Sequence, residues 1–219
     1  IESSVYILFA MILDGLDGRV ARMTNTQTSF GEYFDSLSDM LCFGVAPALL
    51  IYLSSLSMFS SGYLVKVSYI ACFIYIASTA IRLARFNSRN QTTDKKYFIG
   101  LASPAAAAIL ICYVWLLADL NVDISSYVLL TILLIVTLSI LMISNIAYIS
   151  FKDINLKQKV PDIMLFTISL IISFISFDPP KVLFIFFLLY GLSGPSLYLI
   201  RRLKRNRISD TEYSSKNNK

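Results

Sequence analysis

Four aspartates, Asp14, Asp17, Asp35 and Asp39, recur at intervals that a helix would turn into faces. Asp14 and Asp17 are three residues apart and Asp35 and Asp39 four, so each pair shares one side of its helix. Both pairs lie in long apolar stretches, where an ionisable side chain is expensive and functional by default. The chain contains no histidine, which removes the commonest general base, every serine–histidine mechanism and most zinc sites. Four carboxylates drawn together repel one another unless protons or cations intervene. Hard oxygen donors in that number suit Mg²⁺ or Mn²⁺, as a pair of ions. The plainer alternative for any one of them is a helix cap or an ion pair with Arg19 or Arg22.

The neighbouring small residues sharpen this chemistry. Gly18 follows Asp14 by one turn on the same face, and Gly31 precedes Asp35 by one turn. A residue without a side chain lets a ligand or another backbone come close. Ala21 continues the open strip, and Arg22 ends it with a guanidinium suited to bidentate phosphate contact. Such stripes also serve ordinary helix packing in membranes, but beside four acids and an arginine they point to a phosphate ligand.

The elements that must carry these residues are membrane spans. Of the 219 residues, 56% are hydrophobic and 15% charged, and the mean hydropathy is +0.67, too apolar for a soluble domain of this size. Seven hydrophobic segments are predicted: Ser3–Arg22, Phe30–Leu53, Tyr63–Ala84, Leu101–Ala118, Ser125–Ile149, Ile163–Phe177 and Val182–Ile200. The expected fold is therefore an all-α, polytopic transmembrane helix bundle over residues 1–200, followed by a basic polar tail, 201–219, disordered at its end. The first two segments are joined by the short loop MTNTQTS, so their acidic faces can meet. Basic residues alternate by side. Arg19 and Arg22, Arg82 to Lys96, Lys152 to Lys159 and Arg201 to Arg207 fall on one side, and the loops SLSMFSSG, DLNVD and DPPK on the other. The basic side is expected to be cytoplasmic, which puts the aspartates at the cytoplasmic interface. The first helix then runs inward, and a preceding helix, the eighth, is expected in a longer parent. The net charge of +5 belongs to these topogenic clusters and calls for no nucleic acid. Cys42, Cys72 and Cys112 share no metal spacing and read as small packing residues.

The run from Asp14 to Arg22, D-G-L-D-G-R-V-A-R, is followed after eight residues by G-E-Y-F-D-S-L-S-D from Gly31 to Asp39. This resembles the signature of the CDP-alcohol phosphotransferase family, D-x2-D-G-x2-A-R-x8-G-x3-D-x3-D, and matches it at every fixed position. The resemblance implies that Asp14, Asp17, Asp35 and Asp39 are the metal ligands and that Asp39 is also the general base for the acceptor alcohol. It implies that Asp17, Gly18, Ala21, Arg22 and Gly31 contact the cytidine diphosphate, and that CMP is the leaving group. A homodimer is usual in that family.

Three further stretches resemble the membrane-integral phosphatidylserine synthase branch of the family. These are Ser36–Tyr52, the pair AIRLARFN (Ala80–Asn87) and FIGLASPAAAA (Phe98–Ala108), and Met142–Lys152. Ala102 stands where that branch would have proline. The resemblance implies CDP-diacylglycerol as donor and L-serine as acceptor, in an enzyme of a prokaryotic cytoplasmic membrane. Serine brings a carboxylate as well as a hydroxyl. Arg82 and Arg85, three apart at one helix end, with Asn87, Asn145, Ser150 and Lys152, are the candidates to hold it. Glycerol 3-phosphate or an inositol phosphate would demand a denser basic pocket. A metal-ion transporter would spread its acids through the membrane depth instead of gathering them at one interface. Pro47, after Gly44, is expected to kink the second helix and open the cavity.

Overall fold

The structure, a computed structural model, describes residues 1–24, 26–56, 63–89, 97–122, 124–149, 169–170 and 173–217. Helix α1 spans Glu2–Thr24. Helix α2 runs continuously over Ser29–Ser54, starting at Thr28, whose hydroxyl accepts from the Gly31 amide. Helix α3 is Tyr63–Arg89, α4 Ser103–Asp119, α5 Val128–Ile143 and α6 Pro179–Asn217. Two short strands, β1 (Tyr97–Ile99) and β2 (Ala147–Ile149), pair antiparallel with Phe98 opposite Tyr148.

Among the described residues, α2, α3 and α6 are long and apolar enough to cross a membrane. α1 has 23 residues but fails on apolarity, because Asp14, Asp17 and Arg19 all fall within it. α4 and α5, with 17 and 16 residues, rise only about 24–26 Å, short of the ~30 Å hydrocarbon core. The sixth predicted segment lies largely outside the described residues, with 169–170 and 173–177 helical. Of the seven predicted segments, the second, third and seventh thus correspond to helices long and apolar enough to cross.

Three expectations need correction. The all-α reading missed the small sheet. The fifth segment stops being helical at Ile143, where Ser144 turns to an extended conformation and returns its hydroxyl to the Leu141 carbonyl at 2.8 Å. This is the local side-chain bonding that competes with helix, and residues 147–149 become strand instead. The last helix does not end at Ile200 but continues to Asn217, since no glycine or proline interrupts residues 201–217.

The core is centred on α4. Its residues Ala105 to Val114 are all buried, and the small alanines let α1, α2 and α6 approach one helix together. At Gly191 of α6 a Cβ would stand 3.1 Å from Ile109 of α4. Large apolar side chains on the other flank of α1, among them Tyr6, Phe9, Ile12 and Leu16, are exposed, as a lipid-facing surface requires.

Two prolines inside the helices meet the same answer. Pro47 cannot offer an amide to the carbonyl four residues back, Phe43, and its ring crowds that carbonyl. α2 widens into a π turn at Leu41–Val45, where the Ala46 amide reaches Leu41, and the buried Tyr75 hydroxyl donates to the Phe43 carbonyl at 3.0 Å. In α6, Pro195 leaves Gly191 in the same position, and the buried Tyr148 hydroxyl donates to its carbonyl at 3.0 Å.

Candidate active site

α1 and α2 turn their acidic faces toward each other across the short loop between them. Asp14 is buried, at 8% exposure, and one of its oxygens accepts from the Ser38 hydroxyl at 2.6 Å. The Asp39 carboxyl lies within hydrogen-bonding reach of Asp14, and the charge of Asp35 acts on Asp39 as well. The other Asp14 oxygen is buried with no hydrogen-bond donor against it among the described residues. Two carboxylates facing each other are both acceptors, so their contact needs a proton or a cation to hold it.

Asp17 accepts from the Gly18 amide at 2.5 Å. It lines a cavity of about 720 Å³ together with Asp14, Ala21, Thr26, Ser38 and Cys42, and with the apolar Leu13, Leu16 and Val20. Its lining therefore mixes two carboxylates and two hydroxyls with apolar side chains. Gly31 has a reason of its own: a Cβ there would stand 3.1 Å from the Thr28 oxygen that caps α2. Arg22 belongs to α1, and its side chain lies outside the described residues.

Asp14 and Asp39 face each other directly, the charge of Asp35 acts on Asp39, and Asp17 lines the same cavity as Asp14. Among the described residues, no three acidic, cysteine or histidine side chains stand close enough to share a metal ion. Asp14 is buried, Asp39 half-buried, and Asp17 and Asp35 exposed. The donor set nevertheless fits a hard divalent cation. Asp14 presents a buried oxygen that has no hydrogen-bond partner among the described residues, and the Asp39 carboxyl and Ser38 hydroxyl supply further oxygens beside it.

The acceptor candidates separate into two kinds. Arg82 of α3 donates from Nη1 to the Ser103 hydroxyl at 2.5 Å, while its Nε is buried without a partner among the described residues. Its charge lies close enough to interact with Asp39, Tyr75 and Tyr190. Arg85 instead reaches the Ile143 carbonyl at 3.0 Å and the Asn145 side-chain oxygen at 3.4 Å. It therefore ties α3 to the C-terminal end of α5. Asn87 donates to the Ser36 hydroxyl at 3.0 Å, joining α3 to α2 beside Asp35. Ser150 and Lys152 lie outside the described residues.

Sequence reasoning gave no role to Ser38, Ser103 or Tyr190. Ser38 had a signal, since it stands three residues after Asp35 on the acidic face. Ser103 and Tyr190 reach the site from distant parts of the chain, which no local pattern reveals.

Residues 1–143 match the family described as CDP-alcohol phosphatidyltransferase. The chain belongs to this family. Among its relatives is a CDP-diacylglycerol–serine O-phosphatidyltransferase of Helicobacter pylori, 38% identical over 199 residues, which cover 90% of this chain and 80% of that protein. A protein of the same name from Methanocaldococcus jannaschii is 39% identical over 153 residues, 70% of this chain and 66% of its own length. One from Saccharomyces cerevisiae is 35% identical over 113 residues, 48% of this chain and 38% of its own. The family match spans α1 to α5, the helices that hold every acid of the site. As a member of this family with long apolar helices, the chain is an integral membrane enzyme.

Proposed function

We propose that the protein transfers the phosphatidyl group of CDP-diacylglycerol to the hydroxyl of L-serine, giving phosphatidylserine and CMP. The relatives' shared name supports the reaction. The observation that carries the site is the meeting of Asp14 and Asp39, with Asp14 and Asp17 lining a cavity whose other walls include Leu13, Leu16 and Val20. An amphiphilic donor fits such a space, with its phosphates toward the acids and their cations and its acyl chains along Leu13, Leu16 and Val20.

In this reading the serine hydroxyl gives its proton to Asp39 while its oxygen attacks the phosphorus that carries diacylglycerol. The bond from that phosphorus to the CMP oxygen breaks, and CMP leaves with the electron pair. Mg²⁺ or Mn²⁺ ions, held by Asp14, Asp17, Asp35 and Asp39, would neutralise the pyrophosphate and the charge gathering on CMP. Asp17, Gly18, Ala21, Arg22 and Gly31 are assigned to the nucleotide. Arg82, close enough to Asp39 for their charges to interact, is the anchor for the serine carboxylate. Arg85, Asn87 and Asn145 serve to hold the helices that frame the pocket, and the site opens on the cytoplasmic side of the membrane.

The test is an acceptor panel with purified full-length protein, CDP-diacylglycerol and Mn²⁺ or Mg²⁺, following CMP release and labelled lipid. Serine-dependent release is expected. Release that responds to glycerol 3-phosphate or inositol phosphate and not to serine would overturn the choice of acceptor.

A further inference from the structure

α2 and α3 meet along a ladder of three contacts. Asp39 and Arg82 interact by charge at one rung. At the next, Gly44 sits so close to Thr79 that a Cβ would stand 3.3 Å from it. At the third, the Tyr75 hydroxyl donates to the Phe43 carbonyl at 3.0 Å. Tyr75, Thr79 and Arg82 stand four and then three residues apart, one stripe along α3. Phe43 lies one turn from Asp39 on α2.

We propose that Tyr75 is a positioning residue for the transfer reaction. Its hydroxyl replaces the amide that Pro47 lacks, pins the π turn of α2 to α3, and so fixes the register that sets Asp39 against Asp14 and Arg82. The hydrogen bond is buried and joins a phenol with 0% exposure to a proline-freed carbonyl. Without it, the carbonyl must find another donor inside an apolar bundle, which it does by rotating or shifting the turn next to Asp39. The apolar ring of Tyr75 accounts for packing; only its hydroxyl accounts for register.

The proposal rests on the transferase reading, and the two can be tested apart. Wild-type protein is first assayed with whichever acceptor supports CMP release; no release with any acceptor refutes both. Tyr75→Phe keeps the ring and removes the hydroxyl. Its kcat is expected to fall about tenfold or more, as small displacements of a reacting group do, with KM for CDP-diacylglycerol within about twofold. Pro47→Ala restores a backbone amide to Phe43, so the double variant Pro47→Ala/Tyr75→Phe is expected to recover most of the loss relative to Pro47→Ala alone. Tyr148→Phe frees the corresponding carbonyl of α6 and serves as the structural comparison, expected to lower kcat far less. Wild-type kcat in Tyr75→Phe, the same loss in the Pro47→Ala background, or an equal fall in Tyr148→Phe would each overturn the proposal. If Tyr75→Phe folds only in the Pro47→Ala background, that rescue supports the same pairing; failure to fold in both backgrounds overturns it.

Discussion

Asp39 and Arg82 carry the sharpest expectations because each has one atom-level task. Asp39→Asn keeps the side-chain shape and removes the base, so turnover should fall by at least about a hundredfold, the usual contribution of general base catalysis. The melting temperature should remain near wild type; near-normal turnover would remove Asp39 from the role. Arg82 and Arg85 look alike in sequence, three residues apart in AIRLARFN, yet they face different neighbours. Arg82→Gln should raise KM for serine about tenfold or more, the loss of a charge-assisted bond to a carboxylate. Arg85→Gln should lower thermal stability instead, because it loses the Ile143 carbonyl and Asn145. A steady-state comparison of the two variants, with melting curves alongside, settles the division. The acids were legible in the sequence because their partners lie three or four residues away, where helical geometry is known in advance. Which arginine faces the acids depends on the rotation of α3 in the bundle, and nothing local encodes that.

At the scale of elements, helix existence was readable and helix ends were not. α2 was expected at Phe30–Leu53 and runs Ser29–Ser54, whereas the fifth segment lost its last six residues to Ser144 and a strand. Three-residue strands pair only because two distant loops are brought together, so a hydropathy pattern cannot show them. The turn that leads from β1 into α4 depends on Gly100. It holds φ at +81°, and a Cβ there would strike the Met142 carbonyl oxygen. Gly100→Ala should therefore destabilise the protein by more than about 1 kcal/mol, read as a lower melting temperature in detergent; an unchanged melting temperature would show that the loop can relax. A kink at Pro47 was expected; what the structure shows there is a π turn, and the hydrogen-bond partner of its freed carbonyl on α3 is a tertiary fact.

For the whole molecule, the acids and the cation belong together. Chelation should abolish CMP release, and Mg²⁺ or Mn²⁺ should restore it; full activity in a chelator would contradict the metal role of the aspartates. The same treatment should loosen the α1–α2 pair, where Asp14 and Asp39 are left facing each other, and increase hydrogen exchange along the Thr24–Ser29 connection. Composition alone announced a membrane protein, and the signature announced its chemistry. The number of spans stayed beyond it, because α4 and α5 are short while α1 is long and charged.

That last contrast bears on biogenesis. α1 brings Asp14, Asp17 and Arg19 to the membrane before α2, which supplies the Ser38 hydroxyl to Asp14, and α4, against which α1 packs, have been synthesised, and ionisable side chains on a lone helix are costly in lipid. α4 is the common seat for α1, α2 and α6, yet it emerges from the ribosome roughly eighty residues after α1 ends. Threaded one helix at a time, the nascent chain therefore needs α1 to be retained at the insertion machinery, or screened by its cations, until α4 arrives. The helix that carries two of the acids is thus poorly suited to enter the membrane alone.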